Sequence, residues 1–468
     1  MRKIDMLKGV LSESLYSAII TIAELVKENG GRALIVGGAV RDMLFGGYSV
    51  KDVDIEVFGI KGEMLQEILK TRFEIDLVGL SFGVLKIKHY DIDVSLPRRE
   101  SKKGLGHKGF EIYSDPFISV DEAATRRDFT INAIYYDPLQ EEIIDPVGGV
   151  CDLNNRVLRH VSEKFAEDPL RVLRGMQFAA RFGLTVAPET IEMCRGMSSE
   201  DLPGERLYGE WEKLLLKGKE ISKGLLFLRA TNWVEYYPEL KALIGCKQDP
   251  EWHPEGDVWN HTCRCLDVFA KNRIGDEKED LIVGFGVLCH DFGKPATTKV
   301  INGRIRSLGH DVVGVKPTLR FLKRLTKEER ILKEVPPLVK YHMSPFALWR
   351  SKAKDAAIRR LAVKVVRIDR LCRVAHADSF SRDDIPGKSN EEIKWLLDKA
   401  ESLRVAAAAP KPLILGRDLI NLGLKPSPKF GEILSKCFDA QLEGVFSDYE
   451  SGKVYLENFI RNNCGFLK

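Results

Sequence analysis

Asp52, Asp54 and Glu56 fall at alternate positions in the run Lys51-Asp52-Val53-Asp54-Ile55-Glu56-Val57. Side chains alternate along a strand, so the three acids share one face while Val53, Ile55 and Val57 fill the other. Carboxylates crowded together are costly to bury without a counter-cation. Two Mg²⁺ ions about 3.5–4 Å apart, bridging an attacking hydroxyl and a nucleoside triphosphate, give such a strand a chemical use. Asp93, in Ile92-Asp93-Val94, could supply a third ligand from a neighbouring strand. The plain alternative is a solvent-facing edge strand whose acids keep it soluble. What comes earlier weakens that alternative: Leu34-Ile35-Val36 runs into Gly37-Gly38-Ala39-Val40-Arg41-Asp42, a strand turning sharply into a helix. Glycines there let backbone N–H groups approach a phosphate, and a helix N-terminus favours its negative charge.

A second constellation begins at Glu167-Asp168-Pro169, which reads as a helix start with a capping acid and proline in the first turn. Asp168, Arg171, Arg174 and Arg181 then form one polar stripe opposite Leu173, Met176 and Ala180. The stripe is either a surface i,i+3 salt bridge, worth roughly a few tenths of a kcal/mol, or a base-reading edge. Cytosine and adenine both offer an exocyclic amino donor beside a ring-nitrogen acceptor. Uracil and guanine offer a carbonyl beside an N–H, so an Asp acceptor next to an Arg donor complements the first pair and mismatches the second.

The elements that must position these groups fall into two regimes. Short β-branched runs at 33–36, 53–58, 84–87, 92–96, 131–136 and 142–144, with helical spacing at 64–70, predict an α/β or α+β unit. After Asp152 the strands vanish. Stretches such as 170–182, 319–325 and 358–374 carry apolar residues at three- and four-residue spacing, which predicts a body that is essentially all helix. Polar, Pro/Gly-bearing segments at 246–257 and 381–389 mark weak boundaries.

The chain has 468 residues, of which 44% are hydrophobic and 30% charged, a balance that excludes a mostly disordered or collagen-like polymer. The apolar stretch 18–26 is flanked or interrupted by Asp5, Lys8, Glu13 and Glu24 and reads as an amphipathic helix, not a signal peptide. No run approaches the roughly 18 uncharged apolar residues of a membrane span. Nine scattered cysteines without a CxxC pair predict reduced thiols and a cytoplasmic protein. The net charge of +4 sums 72 Lys+Arg and 68 Asp+Glu, so any polyanionic partner depends on where the charge sits. Positive charge gathers at 98–110, with five Lys/Arg against one Glu, at 316–334, with seven against three, and at 350–373, with nine against two Asp. Helical stripes of this kind either track an RNA backbone or are simply solvated. Gly104-x-Gly106-x-x-Gly109 in the first cluster is a poor dinucleotide fingerprint, because a charged turn separates it from the preceding strand and no helix pattern follows. A mobile basic loop is the better expectation.

Gly37-Gly38-Ala39-Val40-Arg41-Asp42 with Asp52-x-Asp54, Arg126-Arg127-Asp128-Phe129-Thr130-Ile131-Asn132-Ala133, Ile144-Asp145-Pro146 and Glu167-Asp168-Pro169-Leu170-Arg171-Val172-Leu173-Arg174 resemble the bacterial tRNA nucleotidyltransferase and poly(A) polymerase family, part of the polymerase-β-like nucleotidyltransferase superfamily. The match spans about residues 31–185. The resemblance implies an α+β fold: an N-terminal helix at 1–30, a nucleotidyltransferase head of mixed sheet and helices at 31–150, and a helical neck at 151–245. It implies template-independent addition of C and/or A to the 3′ end of tRNA from CTP and ATP, with Asp52, Asp54 and Asp93 as catalytic acids and Mg²⁺ on Asp52 and Asp54. Asp168 and Arg171 would read the base. Gly38, Arg41, Arg127 and Arg174 would contact the nucleotide, chiefly its phosphates, and Asp128 and Asn132 would recognise the ribose. Gln177 stands where family members often carry another Arg.

Six of nine histidines lie between His253 and His376. His261, the pair His290-Asp291 and Asp378 resemble the H…HD…D order of HD-type metal phosphohydrolases, and His310 and His342 fall where further ligands occur in such domains. Imidazole and carboxylate together suit a divalent transition metal, here Ni²⁺, Co²⁺ or Mn²⁺. The resemblance implies an HD-type helical domain at 246–385 and a C-terminal helical domain at 386–468, in a monomer or homodimer with no membrane partner. Two competing expectations are a poly(A) polymerase and an RNA-binding HD phosphohydrolase with an inactive transferase domain. Against the first, 78–89 lacks the basic signature of that branch and carries Gly79-Leu80-Ser81-Phe82. Against the second, Asp52, Asp54, Arg127 and Asp168 are intact.

Overall fold

The computed structural model describes residues 7, 9–46, 50, 52–76, 84–102, 110–199, 202–380 and 390–462. The chain divides after Tyr236 into two compact units. The first opens with the helix Glu13–Glu28, whose Ser12 cap accepts from the Leu15 N–H and whose inner face carries Ile19, Ile22 and Val26.

Among the described residues nine strands follow before Asp152: β1 (Arg32–Val36), β2 (Val53–Phe58), β3 (Ile75–Asp76), β4 (Val84–Ile87), β5 (Ile92–Ser95), β6 (Arg98–Lys102), β7 (Phe110–Ser114), β8 (Tyr135–Asp137) and β9 (Glu142–Ile144). Seven of them form one mixed sheet in the order β3-β4-β5-β2-β1-β8-β9. β2 lies inside it, antiparallel to β1 and parallel to β5. Val53, Ile55 and Val57 are buried, as their alternation with acids requires. β6 and β7 pair as a separate antiparallel ribbon, so the flanks of the basic cluster at 98–110 are strands and not loop. Its Gly104, Gly106 and Gly109 lie outside the described residues.

The run 131–136 is not one strand. Thr130–Asn132 forms a 3₁₀ turn, and the strand starts only at Tyr135. The helix Gly149–Asn154 packs so closely beneath that turn that a Cβ on Gly149 would stand 2.2 Å from the Thr130 carbonyl oxygen. Thr130 also donates to Asp152 from its hydroxyl. Side chains on a β-branched run can be claimed by a turn when a neighbouring helix holds the turn in place.

The helix Leu170–Phe182 buries Val172, Leu173, Met176, Ala179 and Ala180 and ends at Gly183 in the left-handed region. Strands do not vanish after Asp152. Val157–Leu158 pairs with Thr185–Val186, and Thr298–Ile301 with Arg304–Ser307.

The second unit is otherwise helical. Its Glu277–Cys289 helix is buried from Glu279 through Cys289 and carries no charged side chain from Leu281 onward, as expected of a helix surrounded by others. The 358–374 stretch is two helices, Asp355–Val365 and Ile368–Phe380, broken at Val366, whose φ of 66° no continuous helix permits. The last three helices, Gly416–Asn421, Lys429–Glu443 and Tyr449–Asn462, share a small core around Leu419, Ile433 and Leu456.

Much of the positive charge at 316–334 and 350–373 turns inward. Arg324 pairs with Glu239 at 2.9 Å and Arg330 with Glu279 at 2.7 Å. Arg370 is buried and its guanidinium reaches both Glu279 and Glu334, while Arg373 pairs with Asp280 and Arg367 with Asp369. These arginines join helices instead of forming an uninterrupted stripe for RNA. Hydrogen bonds from Arg370, outweighing burial, hold the Glu279 carboxyl down at about 2. A depressed carboxyl stabilises the fold above its unfolded pKa, and that stabilisation is lost as pH falls through the native value. Glu279→Gln should therefore cost about 3–5 kcal/mol at neutral pH. In urea titrations at a series of pH values, the gap to the parent should narrow as pH drops from the ordinary glutamate range towards about 2.

Candidate functional site

The sheet register sets Asp54 beside Asp93 across the parallel β2–β5 pair, with Asp52 immediately before β2. Glu56 shares their face but is already engaged. It is buried, and its Oε2 accepts from the Tyr135 hydroxyl at 2.9 Å and from Arg127 Nη2 at 3.5 Å. Asp93 faces Lys86 at 3.1 Å. Asp54 is exposed, yet the protein packed beside it removes part of its hydration and pushes its carboxyl up. Asp93, Asp52 and Glu56 add to the rise, and Arg127 offsets only part of it.

Asp54, Glu56 and Asp93 line a cavity of about 350 Å³ together with Arg98, Arg126, Arg127 and Arg171. Burial draws down the guanidiniums of Arg98, Arg126 and Arg171. It would draw down Arg127 as well, but Glu56, Tyr135 and Asp54 reverse the effect and keep that group firmly cationic. One pocket thus holds crowded carboxylates beside guanidiniums whose charge is penalised by burial. Oxygen donors crowded in this way fit Mg²⁺.

Arg41, Asn132 and Asp128, all buried, and the half-buried Arg174 are brought together in a single chain. Gly37, at φ 81°, makes the turn from β1, and Gly38 starts the helix Gly38–Phe45 that carries Arg41. Arg41 donates to Asp42 at 2.8 Å and to Asn132 Oδ1 at 2.6 Å, with its guanidinium 4.4 Å from the Phe182 ring centre. Asn132 Nδ2 donates to Asp128 Oδ1 at 2.9 Å, and Arg174 Nε to Asp128 Oδ2 at 2.8 Å. Burial would raise the Asp128 carboxyl, but Arg174, Asn132 and the Phe129 N–H together hold it low. Arg41, expected to contact phosphate, is committed to Asp42 and Asn132 in this structure.

Asp168 and Arg171 do not form the i,i+3 pair that a surface stripe would make. Asp168 Oδ1 caps the helix through the Leu170 N–H at 3.1 Å, and Oδ2 accepts from Arg206 at 3.0 Å. Arg171 donates to the carbonyls of Lys164 and Arg126, each at 2.8 Å. Arg206 comes from the later helix Gly204–Lys217, and no local pattern in the sequence ties it to Asp168. Gln177 is buried, and its Oε1 has no hydrogen-bond partner.

In the second unit His261, His290, Asp291 and Asp378 meet, all buried. His261 Nε2 lies 3.4 Å from His290 Nε2 and 3.1 Å from Asp378 Oδ1, and Asp291 Oδ2 is 3.3 Å from His290 Nε2. His310 and His342 join with Nε2 atoms 3.1 Å apart, and His310 stands 3.4 Å from Asp291 Oδ1. The Nδ1 atoms of His290, His310 and His342 each sit 2.7–2.8 Å from a backbone carbonyl, which fixes the proton there. His261 Nδ1 faces Glu255 at 2.7 Å. The Nε2 atoms are thereby turned towards one another and towards Asp291 and Asp378, a donor set that a cation between them would satisfy. Lys294 supplies one positive group, 2.7 Å from Asp291 Oδ2. The sequence reading missed Glu255 and Cys265. Cys265 follows His261 by one helical turn, a spacing that could have signalled it.

The Poly A polymerase head domain model matches residues 33–159. A multifunctional CCA protein of Xylella fastidiosa is 34% identical over 377 residues, covering 77% of this chain and 85% of that protein. A multifunctional CCA protein of Xanthomonas campestris pv. campestris is 34% identical over 411 residues, covering 86% and 96%. The fold is similar to that of the Bacillus stearothermophilus CCA-adding enzyme solved in complex with CTP, at a TM-score of 0.65 and 22% identity, over 97% of this chain and 99% of that one. Gly79 to Phe82, the segment set against the poly(A) polymerase alternative, lies outside the described residues.

A carboxyl whose native pKa is raised costs stability when ionised; the cost is absent below the unfolded pKa and complete above the native one. Asp54→Asn should accordingly melt above the parent at neutral pH in a chelator, with the difference fading on acidification. Added Mg²⁺ should raise the Tm of the parent and not of the variant, which differential scanning fluorimetry would read.

Proposed function

We propose, because the chain belongs to the tRNA nucleotidyltransferase family of multifunctional CCA proteins, that it adds C and A residues without a template to the 3′ end of tRNA, using CTP and ATP. The observation that carries the mechanism is the cavity in which crowded carboxylates and desolvated arginines share one space with Arg171 of the base-reading helix. A nucleoside triphosphate with its divalent ion answers both needs at once.

Asp52 and Asp54, with Asp93 beside them, would hold Mg²⁺. When bound, the metal supplies Lewis acidity that screens the triphosphate and eases deprotonation of the RNA 3′ hydroxyl. Arg98, Arg126 and Arg127 take phosphate charge. Asp128 and Asn132, braced by Arg174 and Arg41, orient the sugar. Asp168 accepts from the exocyclic amino group of cytosine or adenine, and Arg171 donates to the adjoining ring acceptor. A carboxylate oxygen has room for a second donor, so Asp168 Oδ2 keeps Arg206 while it reads a base. The 3′ hydroxyl then attacks the α-phosphate in line, and pyrophosphate leaves. In this reading residues 31–150 are the head, 151–245 the neck, 246–385 an HD-type body and 386–468 a helical tail. No described helix is long and apolar enough to cross a membrane; the cytoplasmic placement we propose rests instead on reading the scattered cysteines as reduced thiols.

The convergent Nε2 atoms favour a second activity. His261, His290, Asp291 and Asp378 are suited to hold a transition metal such as Ni²⁺, Co²⁺ or Mn²⁺ for phosphohydrolysis of RNA ends. Absence of bound metal, with no hydrolysis after any of these ions is added, would sink that reading.

Asp52→Ala combined with Asp54→Ala should lower CTP and ATP incorporation by at least about three orders of magnitude while the circular dichroism spectrum is unchanged. Incorporation at the parental rate would refute the assignment of these carboxylates. Offered tRNA ending at the discriminator base, at C or at CC, with CTP or ATP singly, the enzyme should extend the first two with C and only the last with A. Long A tails would instead mark a poly(A) polymerase.

A further inference from the structure

We infer that Cys265 is a metal ligand, completing with His261, His290 and Asp378 a four-coordinate site for a thiophilic divalent ion, with Zn²⁺ the best match. The inference rests on the metal-centre reading of the second unit and puts Cys265 in the place given there to Asp291, whose Oδ2 is paired with Lys294 at 2.7 Å and whose Oδ1 faces His310.

Cys265 lies on the helix Val258–Lys271 one turn beyond His261, so both side chains leave the same face. The residue is fully buried, and its Sγ stands 3.4 Å from His261 Nε2. Ligand atoms of Cys265, His261, His290 and Asp378 all lie within 4.8 Å of one another. The separations themselves are informative. Bonds of about 2.0–2.1 Å to nitrogen and oxygen and about 2.3 Å to sulfur, arranged tetrahedrally, set ligand atoms about 3.3–3.6 Å apart. The separations from His261 Nε2 are 3.4 Å to His290 Nε2, 3.4 Å to Cys265 Sγ and 3.1 Å to Asp378 Oδ1. Three edges from one corner are thus close to their bonded lengths.

The environment is ordered around that arrangement. Glu255 fixes His261 through Nδ1, and the Val287 carbonyl fixes His290 in the same way, so each ring presents Nε2 inward. Cys263, two residues earlier and also buried, lies outside the cluster and serves as an internal control. Two imidazoles, one thiolate and one carboxylate favour Zn²⁺ over the hard ion required in the first unit.

The full chain should be loaded with Zn²⁺ and examined by X-ray absorption at the zinc edge, and loaded with Co²⁺ for its optical spectrum. The expected results are a sulfur shell at about 2.3 Å and a thiolate-to-cobalt charge-transfer band. Cys265→Ser should abolish the band and weaken Co²⁺ binding by at least about tenfold, the scale seen when even an outer partner of a ligand is lost. Cys263→Ser should leave both unchanged. Metal bound through nitrogen and oxygen alone in the parent overturns this inference but leaves the metal-centre reading standing. Failure of the parent to bind either metal overturns both. Because the parent spectra decide between these outcomes, a Cys265 variant that misfolds does not obscure the answer.

Discussion

Like charges held close by strand register are what the first unit is built to manage. The parallel pairing of β2 with β5 leaves Asp54 no distance from Asp93, and the alternation of β2 adds Glu56 to the same face. Glu56 is taken up by Tyr135 and Arg127, and Lys86 on β4 faces Asp93 at 3.1 Å. Asp54 is left in partial desolvation with its neighbours' charge upon it. Around it stand arginines whose own hydration has been reduced. Each half of the pocket carries a cost that the proposed metal-bound triphosphate would remove, and that removal would favour its binding.

The same principle recurs in the second unit with imidazole nitrogens in place of carboxylates. Backbone carbonyls pin the Nδ1 protons of His290, His310 and His342, and the price is a set of Nε2 atoms facing one another. Rigid helices hold the arrangement: the His290 end of Glu277–Cys289 is anchored in a helix buried along nearly all its length. Arginines gathered near Glu279 and Glu334 tie the surrounding helices together. Charge that a linear view assigns to an RNA surface is in part structural cement.

Where sequence pattern and local geometry agree, the elements were legible. β2, β4 and β9 fall on the expected residues because short runs rich in β-branched side chains between turns decide them, and Leu170–Phe182 because its apolar spacing is unbroken. The 130–136 region was misread, since only the helix packed below it turns Thr130–Asn132 away from extended structure. Val366 splits a helical pattern by backbone conformation alone, which periodicity does not record. Asp54 and Glu56 were placed on one face of β2 correctly, with Asp52 falling just before the strand, but the engagement of Glu56 depends on Tyr135, distant in sequence. Arg206 was invisible for the same reason: its partner Asp168 lies 38 residues away on another helix. Cys265 is different, because its spacing from His261 was in view and only its burial among imidazoles gives the spacing meaning.

The central claim is that the open carboxylates of β2 and β5 form a cation site completed by a nucleotide. Crystals grown with Mn²⁺ and CTP, examined by anomalous scattering at the manganese edge, test it most directly. The account predicts anomalous peaks within bonding distance of Asp52 and Asp54, with the triphosphate against Arg98, Arg126 and Arg127. Manganese bound elsewhere in the head, with Asp54 uncoordinated beside an ordered CTP, would contradict it.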